Sequence, residues 1–150
     1  MKISLSDYKS VKKSWGLEVV LFNEDCYCLK LLFFNNQSKG SFHYHKIKTE
    51  TFYLVEGSVT VRHIEDTLPP YRFSERCVDE TTLSISEGFH CKPGTLHQIV
   101  AHKESVVLEV STHHQDSDTY RQSNEHNRQL DSQKMAGEHK SCSLSLQNES

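Results

Sequence analysis

Apolar residues in this chain fall in short runs of strand length: Val19 to Phe22, Tyr27 to Phe34, Thr51 to Val55, Ser58 to Ile64, Leu83 to Ile85, Leu96 to Ala101 and Val106 to Val110. The runs are rich in Val, Ile, Phe, Tyr and Thr, residues that suit a pleated, half-buried surface. Turn-forming pairs separate them, among them Asn35-Asn36, Lys39-Gly40, Glu56-Gly57, Glu87-Gly88 and Pro93-Gly94. No helical period intervenes, so the pattern predicts an all-β protein, an antiparallel sandwich or barrel. The stretch from Glu65 to Thr82 holds Pro69-Pro70, Arg72, Arg76 and several acids, and reads as a long hairpin loop placed to overhang the barrel mouth. From Gln122 to Ser150 the sequence turns polar, with Leu130 and Met135 isolated; the expectation is one folded domain over 1–121 and a disordered tail over 122–150.

Composition narrows the function. At 150 residues there is enough apolar content for a single core and little for a second. The net charge is −3 and the 17 Lys and Arg residues are scattered, so no footprint for nucleic acid or an anionic membrane is expected. No run approaches the ~20 apolar residues of a membrane span, and the N-terminal segment lacks the apolar stretch of a secretory signal, so a soluble, cytoplasmic protein is expected. The five cysteines (26, 28, 77, 91 and 142) are odd in number and form no CxxC pair, which suits reduced packing residues rather than a disulfide framework.

Ten histidines are the compositional excess. His43 and His45 are two apart, so on one strand both imidazoles face the same side. Glu50 follows at an odd offset of five, which requires the polar Lys46-Ile47-Lys48-Thr49 to turn the chain before Glu50 opens the next strand pointing back inward. A second segment, Gly88 to His97, carries the Pro93-Gly94 turn and offers His97 as a fourth donor. Three imidazoles and a carboxylate suit one divalent transition metal such as Mn, Zn, Fe, Ni or Co, and an octahedral ion would keep two positions open for water or substrate. Of the others, His126 and His139 fall in the tail, while His63, His90 and His102 have no partner at ligand spacing.

These segments resemble the two motifs of the cupin superfamily, the first being His-x-His, four residues, Glu, six residues, Gly, here His43, His45, Glu50 and Gly57. The second motif is looser: four residues lie between the opening glycine, Gly88, and Pro93, Gly94 directly follows Pro93, and Ala101 stands where an asparagine is frequent. The resemblance implies a double-stranded β-helix, the cupin jelly-roll barrel, with the metal inside. Trp15-Gly16-Leu17-Glu18 is similar to the opening of sugar-active cupins, including the cupin domain of type II mannose-6-phosphate isomerases, and Lys30 matches a lysine of those domains. The segment Glu109-Val-Ser-Thr-His-His to Tyr120-Arg121 looks like the close of cupins related to mannose-6-phosphate isomerase and D-lyxose isomerase. By that resemblance the function is a metal-dependent sugar or sugar-phosphate isomerase or epimerase acting through a metal-chelated enediolate, with a homodimer by analogy.

On that reading Glu109, Lys30 and Glu50 are the base candidates, in that order. Trp15, Lys30 and Arg121 are the substrate-binding candidates, by ring stacking, oxyanion binding and a bidentate grip. Each keeps a structural alternative: Trp15 as a barrel plug, Lys30 as an edge-strand lysine reaching solvent, Glu109 as a surface residue and Arg121 as a pin for the C-terminal segment. His113 and His114 are adjacent, so one of them at most reaches the cavity. Two other function classes compete, a non-haem Fe(II) dioxygenase with the same four ligands and a non-catalytic sugar- or nucleotide-sugar-binding cupin.

Overall fold

The computed structural model describes residues 4–65 and 78–121. Strands β1 (Lys9–Lys13), β2 (Gly16–Asn23), β3 (Cys28–Phe34), β4 (His43–Tyr44), β5 (Glu50–Glu56) and β6 (Val59–Ile64) precede the undescribed segment. After it come β7 (Asp79–Leu83), β8 (Gly88–Cys91), β9 (Leu96–Ala101), β10 (Ser105–Ser111) and β11 (Tyr120–Arg121). They form a six-stranded sheet in the order β1-β2-β3-β10-β5-β8 and a five-stranded sheet in the order β11-β4-β9-β6-β7, with every pairing antiparallel. The fold is all-β, as the run pattern implies. Among the described residues no helix is long and apolar enough to cross a membrane.

The period of two along each strand divides the interior into an apolar end and a polar end. On β3 the buried positions run Phe34, Leu32, Lys30; on β10 they run Val107, Glu109; on β5, Leu54, Phe52, Glu50; on β9, Ala101, Ile99, His97. Register explains why the changes coincide, since Glu109 pairs with Lys30 on one side and Phe52 on the other, and Val107 pairs with Leu32 and Leu54. Leu32, Phe34, Phe52, Leu54, Val61 and Ile99 belong to one apolar cluster, against which Trp15 and Phe89 pack. The polar residues sit at the other end of the same barrel.

Two glycines are required by backbone approach. Gly57 turns β5 into β6 at φ +101°, and a Cβ there would lie 2.2 Å from Ser105 Oγ and 2.6 Å from the Glu104 carbonyl oxygen. Gly16 sits at φ +147°, where a Cβ would lie 1.9 Å from the Phe33 carbonyl oxygen. That contact brings Trp15 over Phe34, with ring centroids 4.4 Å apart and planes 22° from parallel.

The strand pattern differs from expectation at the edges. The reading of 65–82 as loop is corrected over its last residues: Asp79–Leu83 is a strand paired with β6, and the chain turns at Ser84 to Glu87, where a strand over Leu83 to Ile85 was expected. An outer strand of Asp, Glu and Thr exposes most side chains and lacks the apolar alternation that marks an interior one. β1, Lys-Ser-Val-Lys-Lys, escaped notice for the same reason. The remainder of the long loop and the tail over 122–150 lie outside the described residues. Cys26, Cys28 and Cys91 are free thiols, the last two buried; Cys77 and Cys142 fall outside the described residues.

Candidate metal centre

His43 opens the two-residue β4, His45 follows it, Glu50 opens β5, and His97 is the second residue of β9, where it pairs with His43. One potential donor atom from each of the four lies within 4.8 Å of all the others. Donors on opposite sides of an ion with bonds near 2.1 Å lie roughly 4.2 Å apart, so the cluster needs only a few tenths of an ångström of contraction to share one.

The hydrogen bonds behind the rings orient them. His43 Nδ1 lies 3.0 Å from the Ser41 carbonyl oxygen, His45 Nδ1 is 2.7 Å from that of Asp118, and His97 Nδ1 is 2.9 Å from that of Thr95. A carbonyl only accepts, so each Nδ1 carries a proton and each Nε2 is the nitrogen turned inward, the one left to a metal that displaces any proton it holds. His45 Nε2, His97 Nε2 and Glu50 Oε1 are buried without a hydrogen-bond partner, although His97 Nε2 and Glu50 Oε1 are only 2.8 Å apart. Buried polar atoms left unpaired are costly, and three that converge beside His43 fit a divalent ion. The donor set is chemically right for Mn, Fe, Co, Ni or Zn.

The turn between His45 and Glu50 is built by a residue that sequence reasoning missed. Asp118 lies in a 3-10 turn (Asp116–Asp118), and its carboxylate accepts the backbone N–H groups of Lys46 at 2.9 Å, Ile47 at 3.1 Å and Lys48 at 2.9 Å. With its carbonyl on His45, Asp118 sets both the imidazole and the chain reversal that returns Glu50 to the interior. The N–H of Gly94 donates to the His45 carbonyl at 2.7 Å, so the Pro93-Gly94 turn joins the His97 segment to the first motif.

Lys48 was likewise missed. Two residues before Glu50 it shares that residue's inward face, and its Nζ lies 2.6 Å from both Glu50 Oε2 and Glu109 Oε1. Glu50 therefore turns one oxygen to the imidazoles and the other to the ammonium. Burial opposes the charge on Lys48, but Glu109 and Glu50 outweigh it and hold the ammonium protonated well above the usual lysine range. Burial also opposes ionisation of Glu50, yet His97 and Lys48 keep it well below the ordinary carboxylate range. His97 is held well above the usual imidazole range by Glu50 and Cys91 despite its burial, whereas burial and the neighbouring His97 push His43 well down, and burial lowers His45.

Beyond Lys48 the ion network continues into a cavity of about 140 Å³. Lys30 lies on β3, between β2 and β10 and so not on an edge strand; its side chain is 3% exposed and its Nζ is 3.6 Å from Glu18 and 3.8 Å from Glu109. Glu109 is buried on the inward face of β10. Trp15 and Arg121 border the same cavity, the indole with one side stacked on Phe34 and the guanidinium exposed at the end of β11. His114 also lines it, with Nε2 3.1 Å from Asp116, whereas His113 Nδ1 is tied to the Glu24 carbonyl. Glu18 belongs to the Trp15-Gly16-Leu17-Glu18 motif, but nothing in the sequence alone marks it as a cavity residue. His63, the cross-strand partner of His97, lies tilted over Phe89, and His90 meets Thr51; neither belongs to the four-residue cluster.

Solved structures that this chain resembles share its barrel. CapF, a capsular polysaccharide assembling protein from Staphylococcus aureus, superimposes at TM-score 0.64 with 17% identity, over 75% of this chain and 31% of that one. An RmlC-like cupin from Shewanella frigidimarina superimposes at 0.59 with 15% identity, over 75% of this chain and 89% of the other. Bacillus subtilis oxalate decarboxylase superimposes at 0.66 with 13% identity, over 90% of this chain and 38% of that one. The chain thus spans about a third of the length of CapF. No family model and no curated protein sequence matches the chain. At these identities the likeness establishes architecture: the chain has the cupin fold, with a cluster of three histidines and one glutamate capable of holding a metal at the polar end of its barrel.

Proposed function

We propose that the protein is a metal-dependent isomerase or epimerase of small sugars or sugar phosphates. The observation that carries this reading is that the metal-type cluster opens into a cavity lined by a buried network of ammonium and carboxylate groups, Lys48, Glu109, Lys30 and Glu18. The cavity also has apolar walls in Trp15, Leu32, Phe34, Phe52 and Ile99, so it is the ion network beside the cluster, more than the walls, that favours a polyhydroxylated substrate over the apolar one of an Fe(II) dioxygenase. A divalent ion held by His43, His45, Glu50 and His97 would supply Lewis-acid polarisation of a carbonyl.

The protein groups then share the proton chemistry. Glu109 is the base: its Oε1 is engaged by Lys48 and its second oxygen is left to take a proton from the carbon beside the substrate carbonyl and return it to the neighbouring carbon. Glu50 is ranked below it, because one oxygen faces the imidazoles and the other is held by Lys48. Lys48 stays protonated and acts by electrostatic stabilisation of the charge that develops on substrate oxygen. Lys30 donates hydrogen bonds to substrate oxygens, and Trp15 offers an apolar surface to the sugar face.

The test is metal analysis of the purified protein followed by exchange of the substrate C2 proton in deuterated water, screened over aldoses, ketoses and their phosphates. Metal-dependent exchange that falls by about 100-fold or more in Glu109→Gln is expected. Saturable sugar binding with no exchange would instead identify a binding module, and Fe(II)-dependent oxygen consumption would identify a dioxygenase.

A further inference from the structure

We infer that the cavity selects an uncharged polyhydroxy compound, a free sugar rather than its phosphate. This rests on the sugar-handling role proposed above and specifies the substrate class. The critical observation is Lys30. Its side chain is 3% exposed, yet its ammonium makes no hydrogen bond to any described residue; Glu18 and Glu109 stand at 3.6 and 3.8 Å, outside hydrogen-bond range. A buried ammonium with three unused donors, facing a cavity, is arranged for ligand oxygens.

The neighbours of Lys30 decide which oxygens. Each buried ammonium in the cavity is matched by carboxylates: Lys48 by Glu50 and Glu109, Lys30 by Glu18 and Glu109, and Lys13 at the rim by Glu18 at 3.7 Å. A phosphoryl group bound to Lys30 would be brought within a few ångströms of two carboxylates and repelled by both. A hydroxyl meets both partners, accepting from the ammonium and donating to either carboxylate. A row of alternating donors and acceptors is therefore complementary to successive hydroxyls of a sugar chain, and like-charge opposition is the element that rejects the phosphorylated analogue. Arg121, at the exposed rim, is the one cavity cation for which the described residues provide no carboxylate neighbour, and it is the place where an anion would bind if the inference is wrong.

Calorimetry and ligand-observed NMR on the metal-loaded full chain, at constant ionic strength, provide the test, with D-xylose, D-lyxose and xylitol set against D-ribose 5-phosphate and inorganic phosphate. Saturable binding of at least one free sugar or polyol is expected, with the phosphate compounds weaker by about tenfold or more. Lys30→Met and Glu18→Gln are each expected to weaken that binding by about tenfold or more while metal content stays at the parent level, since neither side chain belongs to the metal cluster. Glu18→Gln keeps the test usable should the buried lysine variant fold poorly. Tighter binding of the sugar phosphate, abolished in Arg121→Met, would overturn the inference; so would sugar affinity unchanged in both variants, or no binding by any neutral compound. Polyol binding without C2 proton exchange would remove the isomerase reading and leave the binding inference standing, whereas exchange confined to phosphorylated sugars would do the reverse.

Discussion

Replacing Asp118 by Ala tests whether the site depends on a turn that carries no ligand. The change removes a carboxylate that accepts three backbone N–H groups, those of Lys46, Ile47 and Lys48. Hydrogen bonds to a charged acceptor contribute about 1.5–3 kcal/mol each. Water can reach part of this turn, so about 3 kcal/mol in total is a reasonable expectation for Asp118→Ala, and about half of that for Asp118→Asn, which keeps one acceptor oxygen. With a urea m-value near about 1.5 kcal/mol/M, the Ala variant should unfold at roughly 2 M lower urea, measured in chelator so that metal does not contribute. The same turn aims Glu50, so metal affinity should also fall by about 10–100-fold, the usual penalty for disturbing groups behind a ligand.

The pH dependence gives a second readout of the same variant. Burial tends to raise the Asp118 pKa, but the three N–H donors lower it below the ordinary carboxylate value. A depressed folded-state pKa contributes stability that is present above the unfolded value, about 3.9, and lost as pH falls through the folded value. The stability gap between the parent and Asp118→Asn should therefore be constant from about pH 5 to about pH 8 and close below about pH 4. Equal urea midpoints at neutral pH, or a gap that widens on acidification, would refute the assigned role.

Metal should raise the melting temperature of the parent by mass action, by the equivalent of about 2.7 kcal/mol at a hundredfold excess over Kd. His45→Ala should abolish that shift and metal retention in elemental analysis; a parent insensitive to excess metal would contradict the site. Lys48→Met strands Glu50 and Glu109 as buried carboxylates without their shared cation, at a cost of about 3–5 kcal/mol, and adding Glu109→Gln should recover part of it in chemical denaturation. If the double variant is no more stable than the single, the ion pair is not the coupling between them. Gly57→Ala places a methyl against Ser105 and Glu104 at positive φ, so a loss of about 1–3 kcal/mol or more is expected, and an unchanged melting curve would count against the turn geometry.

How much of this was legible in the sequence depended on burial. Interior strands such as β3 and β10 were visible because alternation with a buried face leaves an apolar signature, whereas β1 and β7 lie on sheet edges and carry mostly Lys, Asp, Glu and Thr. His43, His45, Glu50 and His97 stood out because spacing and donor chemistry point together. Lys48 had a signal, the offset of two from Glu50 that puts both on one face, but it lay within a segment read simply as a polar turn. Asp118 had none, because its role comes from a contact spanning seventy residues of chain.

The polar end of the barrel is poor design for stability alone. Lys30, Lys48, Glu50 and Glu109 are all buried, and burying ions costs several kcal/mol each before their mutual attraction offsets it. Hydrophobic residues of similar volume would continue the cluster formed by Leu32, Phe52, Val107 and Ile99 with no such cost. The ions are also incompletely satisfied, with Lys30 short of hydrogen bonds and Glu50 Oε1 unpartnered among imidazoles whose other nitrogens are all anchored. A network arranged for folding would close these gaps. They remain open at two adjacent places, one shaped for a cation and one lined with alternating donors and acceptors, which is what a site that must bind both a metal and a hydroxylated substrate requires.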